Sequence, residues 1–385
     1  MTAVAEPEHH VESEQRVTPL ELFFDLVFVF AITQVTTMLA ADPTWAGLAR
    51  GMLVFSALWW AWAAFSWLTN SVDAEEGPTR AAMIAAMAAA LVASLAVPGA
   101  FGDEALVFAL AYTALRLLHI VVYVLAAPSA DVRGAIARMA PGFVIFCGLL
   151  LLASAFDGWV QGAIWCLALL VHILGLVVVG VRGWQVSPAH FAERHGLIVI
   201  IALGESIVSI GVGAAGLEVD GGVIAAAALG ILATSALWWA YFDVVAPVAQ
   251  RRLEQARGDA RTRMARDSYT FLHLPMLAGI VLLALGIKKT VSHYDEELKL
   301  VPAVALCGGV ALYLLALVAF RLRNVHTWNT QRTVAGVVCL ALIPAATAVP
   351  ALAALALVTA LLCALIAYEA IHFAEARARV RHAGR

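Results

Sequence analysis

Apolar stretches of about twenty residues follow one another along the chain, separated by short polar breaks. A helix of that length, at about 1.5 Å per residue, matches the roughly 30 Å hydrocarbon core of a bilayer. Twelve such stretches can be marked: 20–41, 47–70, 80–98, 104–127, 135–155, 159–181, 190–214, 221–245, 268–288, 298–320, 332–349 and 351–373. The last two are divided only by Pro350, so they read either as two crossings or as a re-entrant pair. The pattern predicts an all-α polytopic membrane protein with about twelve transmembrane helices. Residues 1–17 are polar and rich in Glu and His, which predicts a disordered tail. They lack the basic and apolar regions of a cleaved signal peptide.

Composition agrees with this reading. Of 385 residues, 63% are apolar and 13% charged, against about 25% charged in an ordinary soluble domain. A net charge of -3 argues against a nucleic-acid partner. The five cysteines lie within apolar runs at no metal-ligand or paired spacing, so neither a metal, a disulfide framework nor a cofactor is expected. Lys and Arg set the orientation. With the N-terminus cytoplasmic, nineteen basic residues fall on the inside and four (Arg50, Lys288, Lys289, Lys299) on the outside. Both termini are therefore expected in the cytoplasm of a cell whose inner or plasma membrane holds the protein. The largest loop, 246–267, carries six arginines between Arg251 and Arg266; it reads as a topology determinant, with anionic lipid as its candidate partner.

A repeat divides the chain. Ser56-Ala57-Leu58-Trp59-Trp60-Ala61-Trp62 in the second stretch returns as Ser235-Ala236-Leu237-Trp238-Trp239-Ala240-Tyr241 in the eighth. Asp25 in the first stretch has Glu205 as its counterpart in the seventh. An even number of crossings per half makes this a parallel repeat, so two parallel six-helix halves are expected over 18–181 and 182–373, followed by a basic cytoplasmic tail at 374–385. The Gly211–Gly216 segment spells a dinucleotide fingerprint, but it follows a membrane helix and has no strand before it, so it is set aside.

Two segments carry a resemblance to a known family. Thr18-Pro19-Leu20-Glu21-Leu22-Phe23-Phe24-Asp25-Leu26-Val27-Phe28-Val29-Phe30 resembles the opening signature of the bacterial low temperature requirement A proteins. Glu193-Arg194-His195-Gly196, followed by Gly204-Glu205-Ser206, resembles their second signature. The resemblance implies a polytopic membrane protein linked to growth in the cold and supplies no substrate.

Charged groups deep in a bilayer cost at least about 2.5–3.5 kcal/mol each, so each calls for a reason. Those present fall at the midplane or on its cytoplasmic side, which predicts a polar cavity open to the cytoplasm and closed outside. Glu21 and Asp25 stand four residues apart on one helix face and need a proton or a cation between them. Arg116, at matching depth on a stripe with Tyr112, His119 and Tyr123, is the cation expected there. Glu205 with Ser206 in a small-residue helix, and His273 beside Pro275, complete the candidate substrate- or ion-binding set: Glu21, Asp25, Arg116, His119, Glu205, Ser206 and His273. Arg194 and His195 read as interface anchors, and His172 as a core histidine bonded to a carbonyl. Asp243, Glu369 and His372 read as solvated, and both Trp pairs as packed between helices. No nucleophile stands beside a base at a usable spacing, so catalysis is not expected. The set suits a transporter-like carrier coupled to protons or cations; a cation channel, or a structural or lipid-related protein, is the alternative.

Overall fold

The computed structural model describes residues 16–75, 77–127, 129–375 and 377–378. The expected N-terminal tail lies outside these residues except for 16–17, and the basic C-terminal tail except for 374–375 and 377–378. Eight long helices open the chain: α1 (Pro19–Ala41), α2 (Trp45–Thr69), α3 (Gly77–Leu95), α4 (Ala105–Ala126), α5 (Ala130–Ala153), α6 (Gly158–Val179), α7 (Pro188–Ala214) and α8 (Gly221–Phe242). The Arg-rich loop is helical: α9 (Val245–Gln255) and α10 (Gly258–Met264) lead into a π-helical turn, Ala265–Phe271. Then come α11 (Leu272–Ser292), α12 (Leu300–Val325), α13 (Thr330–Ala341), α14 (Ile343–Ala346) and α15 (Ala351–His372). Eleven helical stretches are long and apolar enough to cross a membrane among the described residues. The expected eleventh crossing, 332–349, is not one long helix, because Pro344 cannot continue the backbone ladder and the chain breaks between α13 and α14.

Successive helices alternate in direction, so their connections gather at two ends. At one end, here the basic end, Asn70 bonds the backbone of Ser187, Arg138 bonds the carbonyl of Arg182, and Arg261 and Thr262 bond those of Val186 and Trp184. At the opposite end Tyr294 donates to Asp220 at 2.5 Å and holds that carboxyl below the ordinary carboxylate range. There too Ala351 N donates to the carbonyl of Glu296, and Glu297 bridges Pro350.

The surface is what lipid asks for. Leu125, Val178, Trp159 and Ile371 are among many large apolar side chains turned outward. The interior is built on α2, α11 and α12, the most buried of the long helices. α11 and α12 touch backbone to backbone: a Cβ on Gly279 would lie 2.6 Å from the Gly309 carbonyl oxygen, and one on Gly286 2.7 Å from Leu306 Cα. Of the two Trp pairs, Trp59 and Trp60 are buried as expected. Trp238 and Trp239 are 45% and 40% exposed and face outward, which corrects the expectation that both pairs pack between helices.

Candidate functional site

The first signature segment begins with a capping box. Thr18 Oγ1 accepts from Glu21 N, Glu21 Oε2 accepts from Thr18 N at 2.9 Å, and Pro19 supplies a preset first helical turn. This start fixes the rotation of α1, so that Glu21 and Asp25, one turn apart, face α7. The matching face is on α7, where Arg194 of the second signature segment and His190, just before that segment, are also four residues apart. α1 and α7 both run from the basic end, so the two pairs meet in register.

Arg194 Nη2 donates to Asp25 Oδ1 at 2.8 Å, and Arg194 Nη1 lies 2.9 Å from Glu21 Oε1, an ion pair by distance with poor hydrogen-bond angle. His190 Nε2 is 3.1 Å from Glu21 Oε2, and its other ring nitrogen meets Asn70 Nδ2 at 3.1 Å. Trp62 Nε1 donates to Asp25 Oδ1 at 2.9 Å. All four ionisable side chains are 0–1% exposed. The two segments that carry the family resemblance, about 170 residues apart in sequence, thus build one buried cluster. Glu193 joins them once more, accepting from Val17 N at 3.2 Å.

The cation for Glu21 and Asp25 is therefore Arg194, which corrects the expected pairing with Arg116. Arg116 Nη1 donates instead to the Trp60 carbonyl at 3.1 Å. Trp60 and Trp62 are about 200° apart around α2, so Asp25 and Arg116 meet opposite faces of that helix and are separated by it. His119 Nε2 pairs with the Ala64 carbonyl at 3.1 Å on the Arg116 side. The candidate residues do not share one cavity.

Glu205 lies farther along the same α1–α7 seam. Thr33 Oγ1 donates to its Oε2 at 2.5 Å and Ser209 Oγ to its Oε1 at 3.2 Å. The neighbouring Ser206 hydroxyl is buried without a partner among the described residues. His273 sits where the π-helical turn meets α11. Pro275 has no N–H to return to Phe271, and the widened turn lets Leu272 N reach the Asp267 carbonyl. His273 pairs with Tyr241 Oη at 2.8 Å, stacks on Tyr269 and meets His195 edge-on. His195 is enclosed by Trp59, Trp62, Phe191 and Tyr269, so it is a central residue and not an interface anchor. His172 contacts the rings of Trp60, Phe143 and Phe146 and bonds no carbonyl among the described residues.

Two groups expected to be solvated are paired instead. Glu369 accepts from Arg332 Nε and Nη2 at 2.8 and 2.9 Å with both side chains under 10% exposed, and Asp243 is paired with Arg377. His372 is exposed, stacked on Tyr368. Among the described residues no group of three or more His, Cys, Asp or Glu is arranged to hold a metal.

Comparison with known proteins gives a family match for the chain. The family model of the bacterial low temperature requirement A protein (LtrA) matches residues 16–367. An uncharacterized protein of Rhizobium meliloti (strain 1021), RA0937, is 32% identical over 317 residues, covering 76% of this chain and 74% of its own. No solved structure matches.

Proposed function

The chain belongs to the bacterial low temperature requirement A family, and on that footing we propose that it is a proton-coupled carrier of two six-helix halves. The buried α1–α7 cluster is its coupling element. The observation that carries this reading is the charge count at that cluster: two carboxylates, Glu21 and Asp25, face one guanidinium, Arg194, at 0–1% exposure. An uncompensated negative charge out of water is costly. One further proton, shared between Glu21 and Asp25, balances the cluster. A second proton discharges the carboxylates, removes their attraction for Arg194 and lets α1 part from α7.

The two-halves arrangement is supported by packing as well as by the repeated Trp segment. α1 packs on α2 and α3, α3 on α4, α4 on α5 and α5 on α6; correspondingly α7 packs on α8 and α11, α11 on α12, α12 on α13 and α13 on α15. Tyr112 Oη donates to the Ala57 carbonyl at 3.0 Å, and Tyr313 Oη donates to Leu237 at 2.8 Å, both within the repeated segment. Twelve crossings follow if α13 and α14 count as one broken passage. The chain leaves α12 at the basic end, and Pro350 lies beside Glu297 at the other. The excess of arginine supports a cytoplasmic basic end in the plasma membrane, with Arg252, Arg257 and Arg263 exposed toward anionic headgroups. The resting cluster is sealed, so access requires the two halves to move.

The test is flux in vesicles reconstituted with the full chain and loaded with a pH-sensitive dye. An imposed pH gradient is expected to drive a saturable proton flux, and Asp25→Asn is expected to lower it at least tenfold while the protein stays folded. Non-saturating conductance would favour a channel, and unchanged flux in the variant would remove the coupling role.

A further inference from the structure

The first half holds a buried cation, Arg116, with no anion to match it among the described residues. Arg116 is 1% exposed and takes part in no ion pair among the described residues. Its guanidinium is used on two sides: Nη1 donates to the Trp60 carbonyl, and the Phe143 ring lies 4.2 Å from Cζ across its face. The third side, Nε with Nη2, is buried and has no hydrogen-bond partner among the described residues. That edge presents two parallel N–H groups, the arrangement that binds the two oxygens of a carboxylate. The chain itself shows what the edge takes. Arg332 uses Nε and Nη2 to hold both oxygens of Glu369, and Arg323 uses the same two nitrogens on Asp267.

Arg116 lines a cavity of about 60 Å³ together with His119, His172, Trp60, Phe143 and Trp184. At roughly 10–15 Å³ for each water-sized centre, this volume admits only a few heavy atoms. Val181, Trp184 and Arg266 place its mouth at the basic end. His119 Nε2 faces the Ala64 carbonyl and must donate to it, which leaves the buried Nδ1 of a neutral ring as an acceptor without a partner among the described residues. Arg266, paired with Asp267, and Thr270, which accepts from Trp67 Nε1, are the other polar lining residues; the rest of the wall is apolar or aromatic.

We propose that this cavity is a binding site for a small carboxylate anion, held side-on by Arg116 Nε and Nη2 with its short apolar part against the aromatic wall. The site is separate from the α1–α7 cluster, and binding there does not depend on the carrier reading. In the second half, where Tyr313 corresponds to Tyr112, the residue one turn on is Leu317, so the site belongs to one half only.

The test is a tryptophan-fluorescence titration of the purified full chain in detergent, at fixed ionic strength, with potassium acetate and propionate against potassium chloride. Trp60, Trp67 and Trp184 line the cavity and supply the signal. The expected result is a saturable change with the carboxylates at least tenfold tighter than with chloride. Arg116→Gln should weaken it tenfold or more. Should that variant not fold, Ala64→Met, which fills the cavity and keeps Arg116, must abolish the response. No saturable response in the unaltered protein, equal binding of chloride, or unchanged binding in a folded Arg116→Gln or Ala64→Met protein would overturn the proposal.

Discussion

Replacing Arg194 by Gln is expected to destabilise the protein by about 3–5 kcal/mol, more than a hundredfold in the folding equilibrium. The substitution removes the shared partner of two carboxylates that are almost fully buried, Glu21 and Asp25, and leaves them 2.8–2.9 Å from an uncharged amide. Their mutual repulsion is then opposed only by His190 and Trp62. The triple variant Glu21→Gln, Asp25→Asn, Arg194→Met should recover most of the loss, because neutral groups of similar volume carry no desolvation penalty. Thermal unfolding in detergent, followed by intrinsic fluorescence, separates the two. A single variant as stable as the unaltered protein would show that the cluster is hydrated and not sealed.

Gly309→Leu is expected to be as damaging for a different reason. A Cβ at Gly309 would lie 2.7 Å from both the Gly279 carbonyl oxygen and Leu283 N, which are backbone atoms and cannot swing away. α12 must then move off α11, the most extensive contact among the described helices. Overpacking a dense core costs about 1–3 kcal/mol where side chains can yield, and here only backbone can. Gly308→Leu, one residue away, is the control: its added Cβ would come no closer than 3.6 Å to a neighbour, on the flexible Val304 side chain. The yield of monodisperse protein after detergent extraction should fall sharply for the first and stay near normal for the second.

The membrane placement was legible because a span is a local property, recorded in twenty adjacent residues. So was the importance of Glu21 and Asp25, since two carboxylates one turn apart in an apolar helix demand compensation. The identity of the compensating cation was not. Depth along the membrane normal can be counted from sequence, and Arg116 has the right depth; which side of α2 it occupies depends on helix packing. The signal for Arg194 was nevertheless present. His190 and Arg194 repeat the four-residue spacing of Glu21 and Asp25 at a constant offset of 169 residues, on α7 and α1. Placed at the start of its stretch, Arg194 looked like an interfacial residue, whereas α7 begins at Pro188 and carries it inward. The Glu369–Arg332 pair was hidden likewise, because its two members lie on helices that meet only after folding.

In the proposed carrier the α1–α7 cluster latches two halves that part when its carboxylates are discharged. Spin labels at Leu125, at the basic end of α4, and Leu322, at the basic end of α12, report the gap between them. The exposed Cys166 and Cys363 would first be replaced by serine. In lipid nanodiscs the distance distribution should gain a longer component as pH falls, and Glu21→Gln with Asp25→Asn should hold that component at every pH. One narrow distance, unmoved by pH and by the double substitution, would contradict the account.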